Sequence, residues 1–194
     1  RVSSERKLMT EPGGPSNQEG VYYQNSVASQ YLAELLSLQP TSPRETVVEV
    51  RIEAPSHVDD IVVRYADGHR DWIQAKVNLG LSGTPWARLW QSFSSQARDA
   101  AFNVDDRLVI AMGRRNDLSE QLLALIERVS NSEDADELLD RLGPQLRKIY
   151  LAIERALPKD ISAFRLLRLT DLRVQTQSDI DIWFARLDLG SASA

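Results

Sequence analysis

The order of periodic segments along the chain predicts an α/β fold. Three observations carry that expectation. Between residues 47 and 77, apolar and polar residues alternate in short runs, as strands with one face on a core require. Before them, Tyr23, Val27, Tyr31 and Leu35 recur every four residues, with Ala28 and Leu32 beside them, which is one face of a helix. After them, Trp86, Leu89, Trp90, Phe93 and Ala97 form a second helical stripe, followed by another strand at 108–112. Helix, three strands, helix, strand, helix is an α/β order.

Residues 1–19 have no hydrophobic period and contain Gly13-Gly14-Pro15, so they read as a flexible arm. The first helix is expected over 20–38 and ends at Pro40 and Pro43. A first strand is expected at 47–53, with Val48, Val50 and Ile52 on the core and Glu49, Arg51 and Glu53 on the other face. A second follows at 61–65. Asp67-Gly68 is a hairpin turn signal, because that pair tolerates positive φ. The third strand, 72–77, alternates Ile73, Ala75 and Val77 with Trp72, Gln74 and Lys76. Thr84 as cap and Pro85 in the first turn open the aromatic helix. Asp117-Leu-Ser-Glu120 resembles a capping box and opens a helix to about residue 129. Helices over 134–142 and 144–157, a strand or extended segment at 164–174 and a last helix from Ser178 complete the chain. That last helix carries Ile180, Trp183, Phe184 and Leu187 as its stripe.

Bulk composition narrows the chemistry. No run of about 18 apolar residues is present, so no membrane span is expected. The polar start reads as no signal peptide, and its Arg rather than Met reads as a trimmed chain. The sequence has no cysteine, which excludes disulfides, thiolate zinc sites and a cysteine nucleophile, and a cytoplasmic protein is expected. The two histidines, His57 and His69, cannot build a multi-histidine cage. Any metal would need oxygen ligands, which points to Mg²⁺ or Mn²⁺. The net charge is −5, against the basic balance usual in nucleic-acid binders. Residues 141–173 run the other way, with Arg141, Arg147, Lys148, Arg155, Lys159, Arg165, Arg168 and Arg173 against Glu154, Asp160 and Asp171. That run reads either as a solvated helical face or as a track for DNA, with Arg147, Lys148 and Arg155 the DNA-contact candidates.

The acids and one lysine between residues 49 and 76 are placed for hydrolysis. Glu49 and Glu53 share a strand face; Asp59 and Asp60 stand where the next strand begins; Gln74 and Lys76 share a face of its hairpin partner. Adjacent strands lie about 4.8 Å apart, so these side chains can converge. Alternation favours Asp60 over Asp59, because Asp60 is in phase with Val62 and Arg64. Phosphodiester hydrolysis needs a hard cation held by carboxylates, and a lysine that orients water and offsets transition-state charge. Each residue also has a plain structural reading. Glu49 and Glu53 suit the solvated side of a strand, Asp59-Asp60 a strand start, Lys76 an edge-strand gatekeeper, His57 a loop, and Gln24 a bond to nearby backbone.

The run Gly20-Val-Tyr-Tyr-Gln24, then Glu53, then Val58-Asp59-Asp60-Ile61-Val62-Val63, then Ile73-Gln74-Ala75-Lys76, resembles a known group. It is similar to the PD-(D/E)XK restriction-endonuclease-like effector nucleases of bacterial antiphage defence, found in CBASS effectors and at the N-terminus of STAND-type antiviral NTPases. The likeness covers residues 20–76, weakens through the Trp86–Phe93 helix and carries no motif beyond it. It implies a mixed central sheet flanked by helices, with helical elaboration in the second half, over residues 20–194. It implies that Asp60, with Asp59, binds the metal, that Gln74 stands where many relatives have Asp or Glu, that Glu53 adds an acid, that Lys76 is the catalytic lysine and that Gln24 matches a first-helix position. The implied activity is Mg²⁺-dependent cleavage of DNA, double-stranded and with little sequence preference, in antiphage defence. A regulatory sensor or STAND NTPase region would act in cis or in trans, with a homo-oligomer as the active form. No Walker A motif occurs in the chain. Two alternatives stand beside this reading: a catalytically silent DNA-binding or oligomerisation module, and an RNase or single-strand nuclease on the same scaffold.

Overall fold

A computed structural model describes residues 14–36 and 42–191. The elements in chain order are α1 (Gly14–Leu36), β1 (Val47–Ile52), β2 (Ile61–Tyr65), β3 (Arg70–Lys76), α2 (Thr84–Gln96), β4 (Arg107–Met112), α3 (Asp117–Ser130), α4 (Ala135–Arg141), α5 (Pro144–Ala156), α6 (Ala163–Arg168), β5 (Thr170–Val174) and α7 (Gln177–Ser191). The five strands form one mixed sheet in the order β1-β2-β3-β4-β5. β1, β2 and β3 are antiparallel neighbours, whereas β3, β4 and β5 run parallel. The α/β class with a helix-flanked mixed sheet is therefore what the chain adopts.

Both faces of the sheet are covered. On one face, Tyr23, Val27, Ala28 and Tyr31 of α1 pack with Ile61, Val63, Ile73, Val109 and Ile180. On the other, Trp86, Leu89, Trp90 and Phe93 of α2 pack with Trp72, Leu108, Ile110 and the helices of the second half. Trp90 packs edge-on against both Trp86 and Phe93, an arrangement favoured by the ring quadrupoles. The β2–β3 hairpin turns at Gly68, whose φ of 95° suits a residue without Cβ.

Several elements depart from the sequence expectation, each for a local reason. α1 begins at Gly14, so residues 14–19 belong to the helix and not to an arm; residues 1–13 lie outside the described residues, as do 37–41. Pro15 is in the first turn, where its missing N–H costs no bond. In β1 a bulge between Val47 and Glu49 buries Val47 in place of Val48, whereas Val50 keeps its expected side and Ile52 is exposed at the strand's end. α2 has Gly83, not Thr84, at its N-cap, and Thr84 is already helical. α3 is capped one residue earlier than expected: Asn116 accepts from the Ser119 N–H, and Ser119 Oγ accepts from the Asn116 N–H. The expected strand at 164–174 splits into α6 and β5, because Ala163, Leu166 and Leu167 bury one helical face before Thr170 enters the sheet. In α7 Ile180 is buried and Phe184 packs beside it; the side chain of Leu187 lies outside the described residues. Among the described residues no helix is long and apolar enough to cross a membrane.

Arg173 leaves the basic run altogether. Its guanidinium on β5 donates to Asp71 Oδ2 at 2.7 Å, Asp171 Oδ2 at 3.1 Å and Tyr31 Oη at 2.6 Å. Tyr65 Oη donates to the same Asp71 oxygen at 2.9 Å. Burial disfavours the charge on Arg173, but Tyr31 and Asp71 outweigh it and hold the group firmly protonated. Burial, reinforced by the neighbouring Asp71, pushes both tyrosines above their ordinary value. This network ties α1 to β3 and β5 at the end of the sheet opposite the carboxyl ends of the parallel strands.

Candidate active site

The candidate site lies at the carboxyl end of β3, outside the sheet, where ligands of α/β proteins commonly bind. A cleft of about 480 Å³ opens there between the start of α1 and the start of α2. Glu19, Gln24, Asp60, Lys76, Asn78 and Pro85 line it. β2 and β3 run antiparallel with Ile61 opposite Ile73, so Asp60, one residue before β2, meets the last residues of β3.

Asp60 is the centre of this arrangement. Its Oδ2 accepts the Ala75 backbone N–H at 2.8 Å and lies 3.5 Å from Lys76 Nζ. Its backbone carbonyl accepts from Gln24 Nε2 at 3.3 Å and from the Glu53 N–H at 3.0 Å. Both side chains of the pair are partly covered, Asp60 at 16% exposure and Lys76 at 29%. An ion pair this long and this open contributes about 1 kcal/mol at most, so it does not account for the placement as a stability device.

The structure thus brings together Asp60, Lys76 and Gln24. It does not bring the other candidates to the cleft. Asp59 is exposed and does not line it. Gln74 shares a strand face with Lys76 but is buried at 6% exposure in the layer under α2. Glu53 follows the last residue of β1 in a left-handed conformation, φ 51°, uncommon for a non-glycine residue. Its backbone extends the pairing with Asp60, yet its side chain is exposed and outside the cleft. Glu49 is occupied elsewhere, accepting from Arg51 Nε at 2.6 Å and Arg64 Nε at 2.7 Å. His57 sits in an exposed loop 3.6 Å from Asp99.

Glu19 was missed by sequence reasoning because it fell in the expected arm. It lines the cleft and pairs with Arg114 at 2.7 Å, just beyond β4. Pro15, read as a helix opener and not as a breaker, was the signal that α1 reaches back past Glu19.

The donor set decides what ion these residues fit. Among the described residues, no group of three or more His, Cys, Asp or Glu is gathered, so no all-protein cage exists there. Mg²⁺ needs none: it keeps several waters and is held by one or two carboxylates plus substrate phosphates. Asp60, with Oδ1 free of the Ala75 and Lys76 contacts, suits that mode of binding.

Arg147, Lys148 and Arg155 are exposed on α5, whose Ile149, Tyr150 and Ile153 face the core. Trp86, next to Pro85 of the cleft, donates to the Ala152 carbonyl at 3.2 Å, which packs α5 behind the start of α2.

Comparison with protein-family models, with curated proteins and with solved structures finds no match for this chain.

Proposed function

We propose that the chain is a metal-dependent endonuclease domain of the restriction-endonuclease-like type that hydrolyses DNA phosphodiester bonds as an effector in antiphage defence. The observation that supports this best is the approach of Lys76 Nζ to Asp60 Oδ2 across the open end of a β-hairpin, in a cleft. Asp60 is the residue that would hold Mg²⁺ or Mn²⁺, which supplies Lewis-acid stabilisation of the phosphate and a more acidic bound water. Lys76 contributes a positive charge beside the reacting phosphate and can orient the attacking water. The Ala75 N–H and Gln24 fix the position of Asp60. Regulation by a sensor or NTPase region, and assembly into an oligomer, belong to the same proposal.

Incubation of supercoiled and linear DNA with Mg²⁺, Mn²⁺ or EDTA tests it, for the wild-type chain and Lys76→Ala. Metal-dependent cleavage that Lys76→Ala abolishes is the expected result. Intact DNA under all conditions, or equal cutting by Lys76→Ala, would overturn it.

A second reading, a catalytically silent binding module, is favoured by one feature: Gln74, where a carboxylate would strengthen metal binding, is neutral and buried. Calorimetric titration with Mn²⁺ separates the two, since a silent site takes up no ion.

A further inference from the structure

A second groove, of about 360 Å³, lies on the α2-side face of the same sheet, over β1, β2 and β3. Arg51, Arg64 and Arg70 line it, one from each strand, above a floor that includes Val62 and Trp72. Arg64 and Arg70 are direct register partners in the antiparallel ladder, and Glu49 is opposite Arg64 on the other side. Like charges placed directly opposite on neighbouring strands are destabilising. Glu49 offsets the charge of Arg64, whereas Arg70 is paired with no acid among the described residues.

The charges there are arranged for an anion. Arg51 and Arg64 each reach Glu49 through Nε, which leaves their terminal nitrogens without a hydrogen bond among the described residues. The two arginines, Arg64 first, hold the Glu49 carboxyl below its ordinary value, so Glu49 remains an anchor that fixes both guanidinium groups. Arg70 donates one terminal nitrogen to the Ala101 carbonyl and lies 5.8 Å over the Trp72 ring, which fixes it as well. The other acid of the groove, Asp99, accepts the Ala101 N–H and lies 3.6 Å from His57. Three positioned guanidinium groups are the donors that bind phosphate oxygens with fixed geometry.

The strands connect this groove to the cleft. Arg64 follows Asp60 by four residues on β2, about 13 Å at 3.3 Å per residue. That is about four base-pair rises of 3.4 Å. We infer that the Arg51–Arg64–Arg70 groove binds backbone phosphates of the DNA strand that enters the Asp60–Lys76 cleft, about four nucleotides from the bond that is cut. The inference rests on the proposed nuclease function and adds the surface that sets the register of its substrate.

The test is DNA binding by the 194-residue chain over a range of salt, with a 30-base-pair duplex of about random sequence. Wild type is compared with Arg51→Gln and with the triple variant Arg51→Gln/Arg64→Gln/Arg70→Gln. Each lost phosphate contact should flatten the plot of log K against log salt by about 0.9. The single variant should lose about one such step and the triple variant two to three. Arg51 lies exposed on the edge strand, so the single variant keeps the experiment readable if the triple variant melts early. Ethylation of phosphates about four nucleotides from the cut should also block binding to wild type. Unchanged slopes in both variants, with a wild type that binds and cuts, overturn the groove alone. A wild type that neither binds nor cuts DNA overturns the groove and the nuclease reading together.

Discussion

The backbone N–H of Ala75 donates to Oδ2 of Asp60 at 2.8 Å, so the carboxylate is held by the rigid strand beside it. A group fixed by a sheet keeps its position through changes in the surrounding side chains, which is what a metal ligand needs.

Replacing Asp60 by Ala should abolish cleavage while the fold persists. The change removes one hydrogen bond to Ala75 and a long ion pair, about 1 kcal/mol of stability. Asp59→Ala, at an exposed position, should cut at the wild-type rate. Plasmid nicking and a urea melt on both variants decide it; the reverse order of activities would reassign the ligand to Asp59.

Arg173→Met should destabilise the chain far more than an exposed arginine substitution. It leaves Asp71, 2% exposed, without its cationic partner. Breaking a buried pair from one side costs about 3–5 kcal/mol. A urea denaturation midpoint equal to wild type would contradict this.

Reversing Arg147 and Lys148 to Glu should weaken DNA binding and flatten its salt dependence by about one unit of slope per lost phosphate contact. Both are exposed on α5, so the melting temperature should hardly move. An unchanged slope would make them a solvated helix face.

Alkaline pH should unfold the protein cooperatively. Burial raises Tyr23, Tyr31, Tyr65 and Tyr150 above the ordinary value of 10.0. A raised phenol keeps its proton in the folded state after the unfolded chain has lost it. Stability is therefore whole below pH 10 and falls as the pH rises above it. Phenolate absorbance of these four should appear together with loss of helical circular dichroism, and a gradual titration before unfolding would refute the burial argument.

Activity per molecule should rise with protein concentration, because cutting both strands of a duplex is simplest with two sites related by a two-fold axis. Specific activity over a hundredfold concentration range measures this. A flat line means that one chain is competent alone.

Much of the fold was legible because periodicity reports directly on which side of an element is apolar. The α2 stripe and the existence of β4 follow from it, and the hairpin at Gly68 follows from the Asp67-Gly68 turn signal. Alternation names a side but not what covers that side. Gln74 and Lys76 do share a face, yet α2 buries Gln74 and leaves Lys76 at the open end. The β1 phase failed at one point for a different reason: one extra residue at the Val47/Glu49 bulge turns Val47 in and Val48 out ahead of Val50, which keeps its expected side, and no local residue preference announces it. Arg173 was misread because a charge run is counted along the chain, whereas its partners Asp71 and Tyr31 are more than 100 residues away. In the site, the Asp60–Lys76 pairing was readable from strand order alone, and Glu19 was not, because it depended on where a helix starts.

α7 ends the described chain, and its Ile180 completes the layer in which Tyr23 and Val27 of α1 are buried. α1 also forms the wall of the cleft that carries Gln24. During synthesis from the N-terminus, that wall therefore lacks its full support until Ile180 has left the ribosome. If the cleft is the proposed site, a nascent chain would stay inert until α7 has emerged, without any inhibitor.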